Sequence, residues 1–298
     1  MLEMQARSIA RYLPIAMVEK IIVIDNTENG ISRSFISRLK NNYSHFAESL
    51  EVVPATDVCV CAAERGWINQ QLLKLAICKY IQSKKYVVLD AKNVFISDVI
   101  STFFLDGSER ACVNSRDFRE HPLRGSYDRV MDYLQLDGDK YVACFPQTIT
   151  PFTFDCEIVG ELIKHLEHRG ASFEEEFVSN SLTEFFLYSG YLLKSGRSFD
   201  DEFHFHQNYS TVLWPESANS GNVKGLIGKS MQNNQPLFSV HRGFYVGCNL
   251  MDLWWVYRRY VSAGIFKGGW LSWLQIINYK LKLKSGNLMT KLQRVLKF

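Results

Sequence analysis

Two short runs of apolar, mostly β-branched residues, each ending in an aspartate, most constrain how this chain can fold. They lie at residues 20–25 and 86–90, and two further apolar runs lie at residues 50–54 and 110–114. Strands that alternate with helices at this spacing predict an α/β fold with a mainly parallel, Rossmann-type sheet flanked by helices. Ligands of such sheets bind beyond the carboxyl ends of the strands, so we expect Asp90 to lie at a site.

Helical patterns occupy most of the chain between these runs. Residues 1–18, 32–41 and 67–84 are each predicted to be helical, the first being interrupted near a proline. Further along, Asp155 can cap a helix, and Ser172 with Glu175, three residues later, forms a capping-box pattern.

No internal repeat and no linker rich in proline, glycine or serine divides the chain. We therefore predict one catalytic domain at residues 1–248 and a helical appendage at residues 249–298.

Composition excludes several classes of protein. A hydrophobic fraction of 47% is enough to form a compact core, which excludes a disordered or low-complexity chain. The seven cysteines form no C-x-x-C pair, and the spacing of Cys59 and Cys61 fits neither a zinc knuckle nor a redox turn. Residues 1–7 lack the features of a signal peptide, and no apolar run is long enough to cross a membrane. A cytoplasmic location is expected.

Charge divides the chain into an acidic body and a basic tail. Residues 251–298 contain nine basic residues and one acid, a net +8, which leaves 3 − 8 = −5 for residues 1–250. The acidic body argues against nucleic acid as a partner.

The tail also carries many aromatic residues, and an apolar stripe closes it. This composition predicts binding to an anionic membrane surface, with a helical cover packed on the body as the alternative. The aromatic residues are Trp254, Trp255, Tyr257, Trp270, Trp273 and Tyr279, and the stripe is Leu288, Leu292, Val295 and Leu296.

Residues 66–75 read G-W-x-x-Q-Q-x-x-K-L and form the most informative motif. On a helix, Gln70, Gln71 and Lys74 lie along one stripe, where they can hold a ligand. The alternative is that these polar side chains bind the carbonyl groups of a neighbouring loop.

Four motifs occur in a fixed order: residues 66–75, the apolar run ending in Asp90, residues 150–152 (T-P-F) and residues 183–188 (T-E-F-F-L-Y). Together they resemble a group of bacterial GT-A-type glycosyltransferases, described as a domain of unknown function and linked to surface-polysaccharide synthesis. The resemblance covers roughly residues 20–245. It implies transfer of a glycosyl group from a nucleotide-sugar donor to a hydroxyl group of a glycan or lipid-linked acceptor. The basic, aromatic tail predicts a peripheral position at the inner face of the membrane, where a lipid-linked acceptor would lie.

The sequence departs from the pattern of that family in two respects. GT-A enzymes usually place D-x-D after this strand, the second acid binding Mg²⁺ or Mn²⁺, whereas this chain has Asp90-Ala91-Lys92. The Lys92 ammonium can itself neutralise a diphosphate leaving group, so we expect metal-independent transfer. A lysine that merely pairs with Asp90 is one alternative, and a metal held by Asp90 and His241 is another.

The second departure concerns the start of the chain, which opens in the helix that follows the first strand of the family. That strand is either missing or replaced by another segment. A sheet without it would leave unpaired backbone groups at an exposed edge.

Glu184 is the candidate general base, because burial among aromatic residues would raise its pKa. The alternative is that it is solvated or ion-paired. Asp90 and Lys92 complete the predicted catalytic set, Asp90 orienting the donor. The candidate substrate-binding residues are Trp67, Gln70, Gln71, Lys74, Asn93, Thr150, Pro151, Tyr188, His241 and Arg242.

Two other patterns are rejected. Gly228-Lys229-Ser230 lacks the glycine that a phosphate-binding loop requires five residues earlier, and no strand leads into it. His204 and His206 share one face of a strand but lack a third ligand.

Two other classes of function remain open. One is a catalytically inactive relative that binds a glycan or a partner transferase, which the missing second acid supports. The other is a different nucleotide-using α/β transferase, which would be expected to carry more metal-binding carboxylates.

Overall fold

The computed structural model describes residues 1–60, 66–168, 170–205 and 210–295, with side chains through residue 285. Over these residues the chain is a mixed α/β protein in which helix exceeds strand. No helix of this part of the chain combines the length and the apolarity needed to cross a bilayer.

The helices are named α1 to α13 in chain order. They are Leu2–Tyr12 (α1), Arg33–Tyr43 (α2), Ala55–Val58 (α3), Trp67–Ala76 (α4), Arg124–Leu134 (α5), Cys156–Glu167 (α6), Phe173–Ser179 (α7), Glu184–Lys194 (α8), Phe199–Glu202 (α9), Val223–Gln232 (α10), Arg242–Gly247 (α11), Leu250–Ser262 (α12) and Trp270–Val295 (α13).

The strands are short and are named β1 to β11. They are Ile21–Asp25 (β1), Leu50–Pro54 (β2), Lys85–Val88 (β3), Asn93–Phe95 (β4), Ala111–Val113 (β5), Ser115–Arg116 (β6), Phe145–Pro146 (β7), Phe152–Asp155 (β8), Phe203–Phe205 (β9), Ser210–Leu213 (β10) and Leu237–Val240 (β11).

The strands form small sheets with mixed directions. Among the described residues, β1 with β2, β10 with β11, and β5 with β9 are parallel, while β11 with β4, β3 with β8, and β6 with β7 are antiparallel. The predicted α/β class is confirmed, whereas the described strand pairs are parallel and antiparallel in equal number and do not confirm a mainly parallel, Rossmann-type sheet. A buried apolar run has the same pattern whichever way its partner runs, so the sequence could not distinguish the two.

Local sequence signals explain where several helices begin and end. Asp155 caps α6 by accepting hydrogen bonds from the amides of Glu157 and Ile158, as predicted. Ser172 and Glu175 form the predicted capping box of α7. The first helix ends at Tyr12, because the residue before a proline disfavours helical backbone.

The helix predicted at residues 67–84 is shorter than expected. Its α-helical part is α4, Trp67–Ala76, and a 3₁₀ turn at Ile77–Tyr80 follows. The chain then enters β3 at Lys85, so the tighter turn redirects the chain from helix to strand.

The tail packs on the body of the protein. Leu253, Val256 and Tyr260 of α12 are buried in one cluster with Val94 of β4 and Phe238 of β11. The alternative of a helical cover is therefore what the structure shows for α12 and for the start of α13. Residues 296–298 and the side chains of the predicted apolar stripe lie outside the described part.

Candidate functional site

A cleft of about 1680 Å³ is lined by residues of both β1 and β3. The lining includes residues 21–24 and residues 85–89. Within the described residues, β1 pairs with β2 alone and β3 with β8 alone, so each strand has a second edge without a strand partner. The cleft also contains residues from α4, α8 and α11.

Asp90 lies two residues beyond the end of β3, at the position that the sequence predicted. Its main chain is fixed on both sides: the Gln5 side chain donates to the Asp90 carbonyl at 2.7 Å, and the Asp90 amide donates to Asn93 Oδ1 at 2.7 Å. Asn93 in turn donates to Ser239 Oγ at 2.9 Å. The Asp90 carboxylate is thus held in place while it lines the cleft.

Four charged side chains form a continuous array on the wall of the cleft. Lys74 of α4 bridges two carboxylates, with its Nζ 3.3 Å from Asp90 Oδ1 and 2.9 Å from Glu184 Oε1. Lys92 pairs with the other oxygen of Asp90. We refer to Lys74, Asp90, Lys92 and Glu184 as the charged array.

Packing of α4 against α8 builds the array from distant parts of the sequence. Glu184 is in the first turn of α8, where the helix dipole favours a carboxylate. Lys74 is in the last turn of α4, where the dipole favours a cation. The Lys74 ammonium also lies 4.9 Å from the ring centre of Phe185.

The environment shifts the pKa values of the array in different directions. Burial raises the pKa of Glu184, and Lys74 only partly opposes this. Burial also disfavours the charged form of Asp90, but Lys74 and Lys92 outweigh it and hold the pKa of Asp90 far below its ordinary value. Burial lowers the pKa of Lys74, but the two carboxylates more than compensate, so that it is raised overall. Two carboxylates whose pKa values are shifted in opposite directions suit different chemical roles.

An aromatic and cationic rim lies next to Lys92. The Lys92 ammonium is 6.0 Å from the ring centre of Trp214, which lies 5.3 Å from the His241 ring. His241 Nδ1 accepts from the Gly243 amide at 3.0 Å, which caps α11. Burial and the Lys92 charge lower the pKa of His241. Arg242 is exposed and lines the same cleft.

The structure brings most predicted site residues to the cleft, but not all of them. Trp67 and Gln70 line it and are exposed. Gln71 also lines it, but it is buried and donates to the carbonyl of Trp67 within its own helix at 3.5 Å.

Four predicted substrate-binding residues do not line the cleft. Asn93 is fully buried and braces the Asp90 loop. Tyr188 is buried, and its hydroxyl accepts from the Asp155 amide at 3.1 Å, so it faces the core. Thr150 is buried, and its carbonyl accepts from Asn93. Thr150, Pro151, Asn93 and Tyr188 are not among the residues that line the cleft.

Other residues at the cleft were missed by the sequence motifs. Trp214 and Glu216 line it next to His241, and Arg116 and His121 line it near α5. No short motif marks these positions, because each reaches the cleft through tertiary contacts. Burial and the Arg116 charge lower the pKa of His121.

The residues present do not fit a Mg²⁺ or Mn²⁺ site. Both Asp90 oxygens already lie against ammonium groups, and a hard cation beside Lys92 would be repelled. In the described part of the chain, no three histidine, cysteine or acidic side chains cluster as metal ligands.

The rejected patterns have structural explanations. Gly228-Lys229-Ser230 lies inside α10 and forms no loop. His204 Nδ1 lies 3.6 Å from Asp106 Oδ2. The other histidine of that pattern, His206, and the cysteine Cys61 lie outside the described residues.

Fold and site together define an α/β protein with a charged array at a strand end, beside a large cleft. The chain belongs to the family of unknown function DUF6492, whose model matches residues 2–218. The match includes the whole charged array and Trp214, and it ends before His241. No curated protein matches the chain.

Proposed function

We propose that this protein is a glycosyltransferase that moves a sugar from a nucleotide-sugar donor to a hydroxyl group of a glycan or lipid-linked acceptor. The observation that carries the proposal is the charged array, which joins a buried carboxylate of raised pKa to two lysines at the wall of a large cleft. The motif order described above supports the same class of enzyme.

Each member of the array has a role in this reaction. The acceptor oxygen attacks the anomeric carbon, and the bond from that carbon to the diphosphate oxygen breaks, the electron pair leaving with the diphosphate. Lys92 stabilises the departing negative charge, and Arg242 extends the cationic surface. Glu184 takes the acceptor proton, and its raised pKa suits a general base.

Lys74 and Asp90 position these groups. Lys74 holds Glu184 at 2.9 Å, and Asp90 fixes the Lys92 ammonium at the strand end. The Asp90 carboxylate is a third exposed, so it can also accept a hydrogen bond from a donor hydroxyl. Because two lysines occupy the carboxylate, we propose that transfer needs no metal ion.

The fold is proposed to be a GT-A-like arrangement with a further strand between β1 and β3. Supporting this, both strands line the same cleft, each pairs with a single strand among the described residues, and the apolar residues 21–24 of β1 are only partly buried. A strand that paired with both edges would join the two small sheets. The proposal also includes a position at the inner face of the membrane, where a lipid-linked acceptor would lie.

The test is release of nucleoside diphosphate from a panel of nucleotide sugars (uridine, guanosine and thymidine diphosphate donors) in EDTA. We expect release with at least one donor, and unchanged rates when EDTA is replaced by Mn²⁺. Release that occurs only with Mn²⁺ would contradict the role of Lys92. Lys92→Ala should lower this release. The matched control is Lys84→Ala, which changes an exposed lysine in the segment that enters β3.

One observation favours a second candidate, an inactive relative that binds a glycan or a partner. Glu184 already accepts from Lys74, and both Asp90 oxygens face lysines, so the array is internally neutralised. Under this alternative no donor in the panel is turned over, and no nucleoside diphosphate raises the melting temperature.

A further inference from the structure

A set of large apolar side chains is exposed on one side of the tail. Leu250, Met251 and Trp254 lie in the first turns of α12, and Trp270 and Leu271 begin α13. Trp270 and Leu271 are 69% and 76% exposed. We refer to these five residues as the α12–α13 face.

The two helices present these side chains as one surface. Leu250 and Met251 precede Trp254 by four and three residues, the spacing that places side chains on one face of a helix. The Trp254 ring meets the Trp273 ring edge-on at 5.3 Å, and Trp273 lies one turn after Trp270. The exposed residues of α12 and α13 are therefore contiguous.

The surface is rigidly attached to the body. The Tyr257 hydroxyl donates to the Gly269 carbonyl at 2.9 Å, which fixes the entry to α13. Lys280, buried within α13, donates to the carbonyls of Tyr245 and Cys248 at 2.6 Å each. These hydrogen bonds hold the α12–α13 face in a fixed position on the body.

Charge around the face is basic. Arg258 lies 5.9 Å from the ring centre of Trp254, and Lys267 is exposed three residues before Trp270. The acid of this region, Asp252, is buried and accepts from the Asn219 amide at 2.8 Å, so it faces the body. Lysines and arginines around exposed tryptophans match an anionic lipid surface.

We propose that the α12–α13 face docks on an anionic bilayer, with Trp254, Trp270 and Leu271 at headgroup depth and Arg258 and Lys267 against lipid phosphates. Tryptophan favours this depth because its ring is apolar and its N–H is polar. A second copy fits less well, since symmetric association would bring the same basic residues together. The sequence predicted membrane binding for the whole tail, including the final apolar stripe, and the present proposal assigns the contact to the α12–α13 face.

The first test is co-sedimentation of the full chain with vesicles of phosphatidylcholine containing about one third phosphatidylglycerol. The double variant Trp270→Ser/Leu271→Ser should bind at least tenfold more weakly, because it removes most of the apolar area that enters the lipid. The matched control is Ile15→Ser/Ile100→Ser, which changes two similarly exposed apolar residues elsewhere. Equal binding by both double variants would overturn the proposal.

The second test addresses charge. Arg258→Glu/Lys267→Glu should weaken binding to the anionic vesicles about tenfold or more, and wild-type binding should fall at high salt. Lys84→Glu/Lys140→Glu is the control at exposed sites away from the tail.

Binding that is lost only in Leu288→Ser/Leu292→Ser would assign the contact to the final stripe instead. Dimerisation through the face without vesicle binding would also contradict the proposal.

Discussion

The two ends of β3 each carry a lysine–carboxylate cluster, and the clusters differ in what surrounds them. At the start of the strand, Lys85 Nζ lies 3.3 Å from Asp155 Oδ2 and 3.7 Å from a Glu202 oxygen. Asp155 is only 6% exposed and also caps α6. Beyond the other end, the Asp90 carboxylate is 33% exposed and pairs with two lysines on the wall of the cleft.

Lysines and carboxylates therefore have different roles at the two ends of β3. The Asp155 oxygens are occupied by main-chain amides and a lysine, so this cluster joins β3, β8 and α6. Lys85 also lines the cleft, but its partners Asp155 and Glu202 do not. All four members of the charged array line the cleft, where its lysines can meet a ligand. We expect substitutions in the first cluster to reduce stability and substitutions in the second to reduce turnover.

The largest effect is expected for Glu184→Gln. Loss of a general base costs about 10²–10⁴ in rate, while the melting temperature should change little because Lys74 keeps Asp90 as a partner. In the wild type, the rate should rise with pH through the raised pKa of Glu184, since the base must be deprotonated. A glutamine variant with full activity and an unchanged pH profile would exclude this role.

Lys92→Ala should lower the rate of diphosphate release by about 10²–10³, the cost of losing one preorganised donor to a developing charge. The fold should persist, because Asp90 keeps Lys74. Release kinetics and thermal melting of this variant beside Lys84→Ala provide the comparison. Equal rates for the two variants would place the diphosphate elsewhere in the cleft.

Asp155→Ala should reduce stability instead. It removes a helix cap and leaves Lys85 without its nearest carboxylate, which together cost about 3 kcal/mol in the free energy of unfolding. Activity per folded molecule should be unchanged. Urea titration beside Asp137→Ala, at an exposed ion pair, measures the difference. A stable Asp155→Ala protein that lacks activity would reverse the assignment of the two clusters.

The smallest effect concerns pH. The pKa of Asp90 is lowered in the folded state, so its stabilising effect is present above its ordinary pKa of 3.8 and is lost as pH falls towards the folded-state value. The difference in unfolding free energy between wild type and Asp90→Asn should therefore be larger at pH 6 than at pH 3. A constant difference would show that the lysines do not act on Asp90 through charge.

Asp25 and Asp90, the aspartates that follow two apolar runs, show how much of the site could be predicted from the sequence. Both were marked by the same pattern, an apolar run ending in an acid. Asp25 accepts hydrogen bonds from the amides of Thr27 and Ile31 and so organises its own loop. Asp90 instead meets Lys74, and only the tertiary structure could reveal that contact.

Local signals predicted local features well. The caps at Asp155 and Ser172 depend on residues two or three positions apart, and both were confirmed. The Lys74–Glu184 contact spans 110 residues, so its partners could not be paired from spacing. The relative direction of paired strands also could not be predicted from the sequence. The strands β3 and β8 pair antiparallel, although each has the pattern of a buried apolar run, which is the same in either direction.

The most direct test of the central claim is calorimetric titration with the nucleoside diphosphate of the accepted donor, carried out in EDTA. The account predicts that the wild-type protein binds without metal and that Lys92→Ala raises Kd about 100-fold, while Lys84→Ala leaves Kd unchanged. Wild-type binding that requires Mn²⁺, or an unaltered Kd in Lys92→Ala, would contradict the claim that a lysine replaces the metal at this strand end.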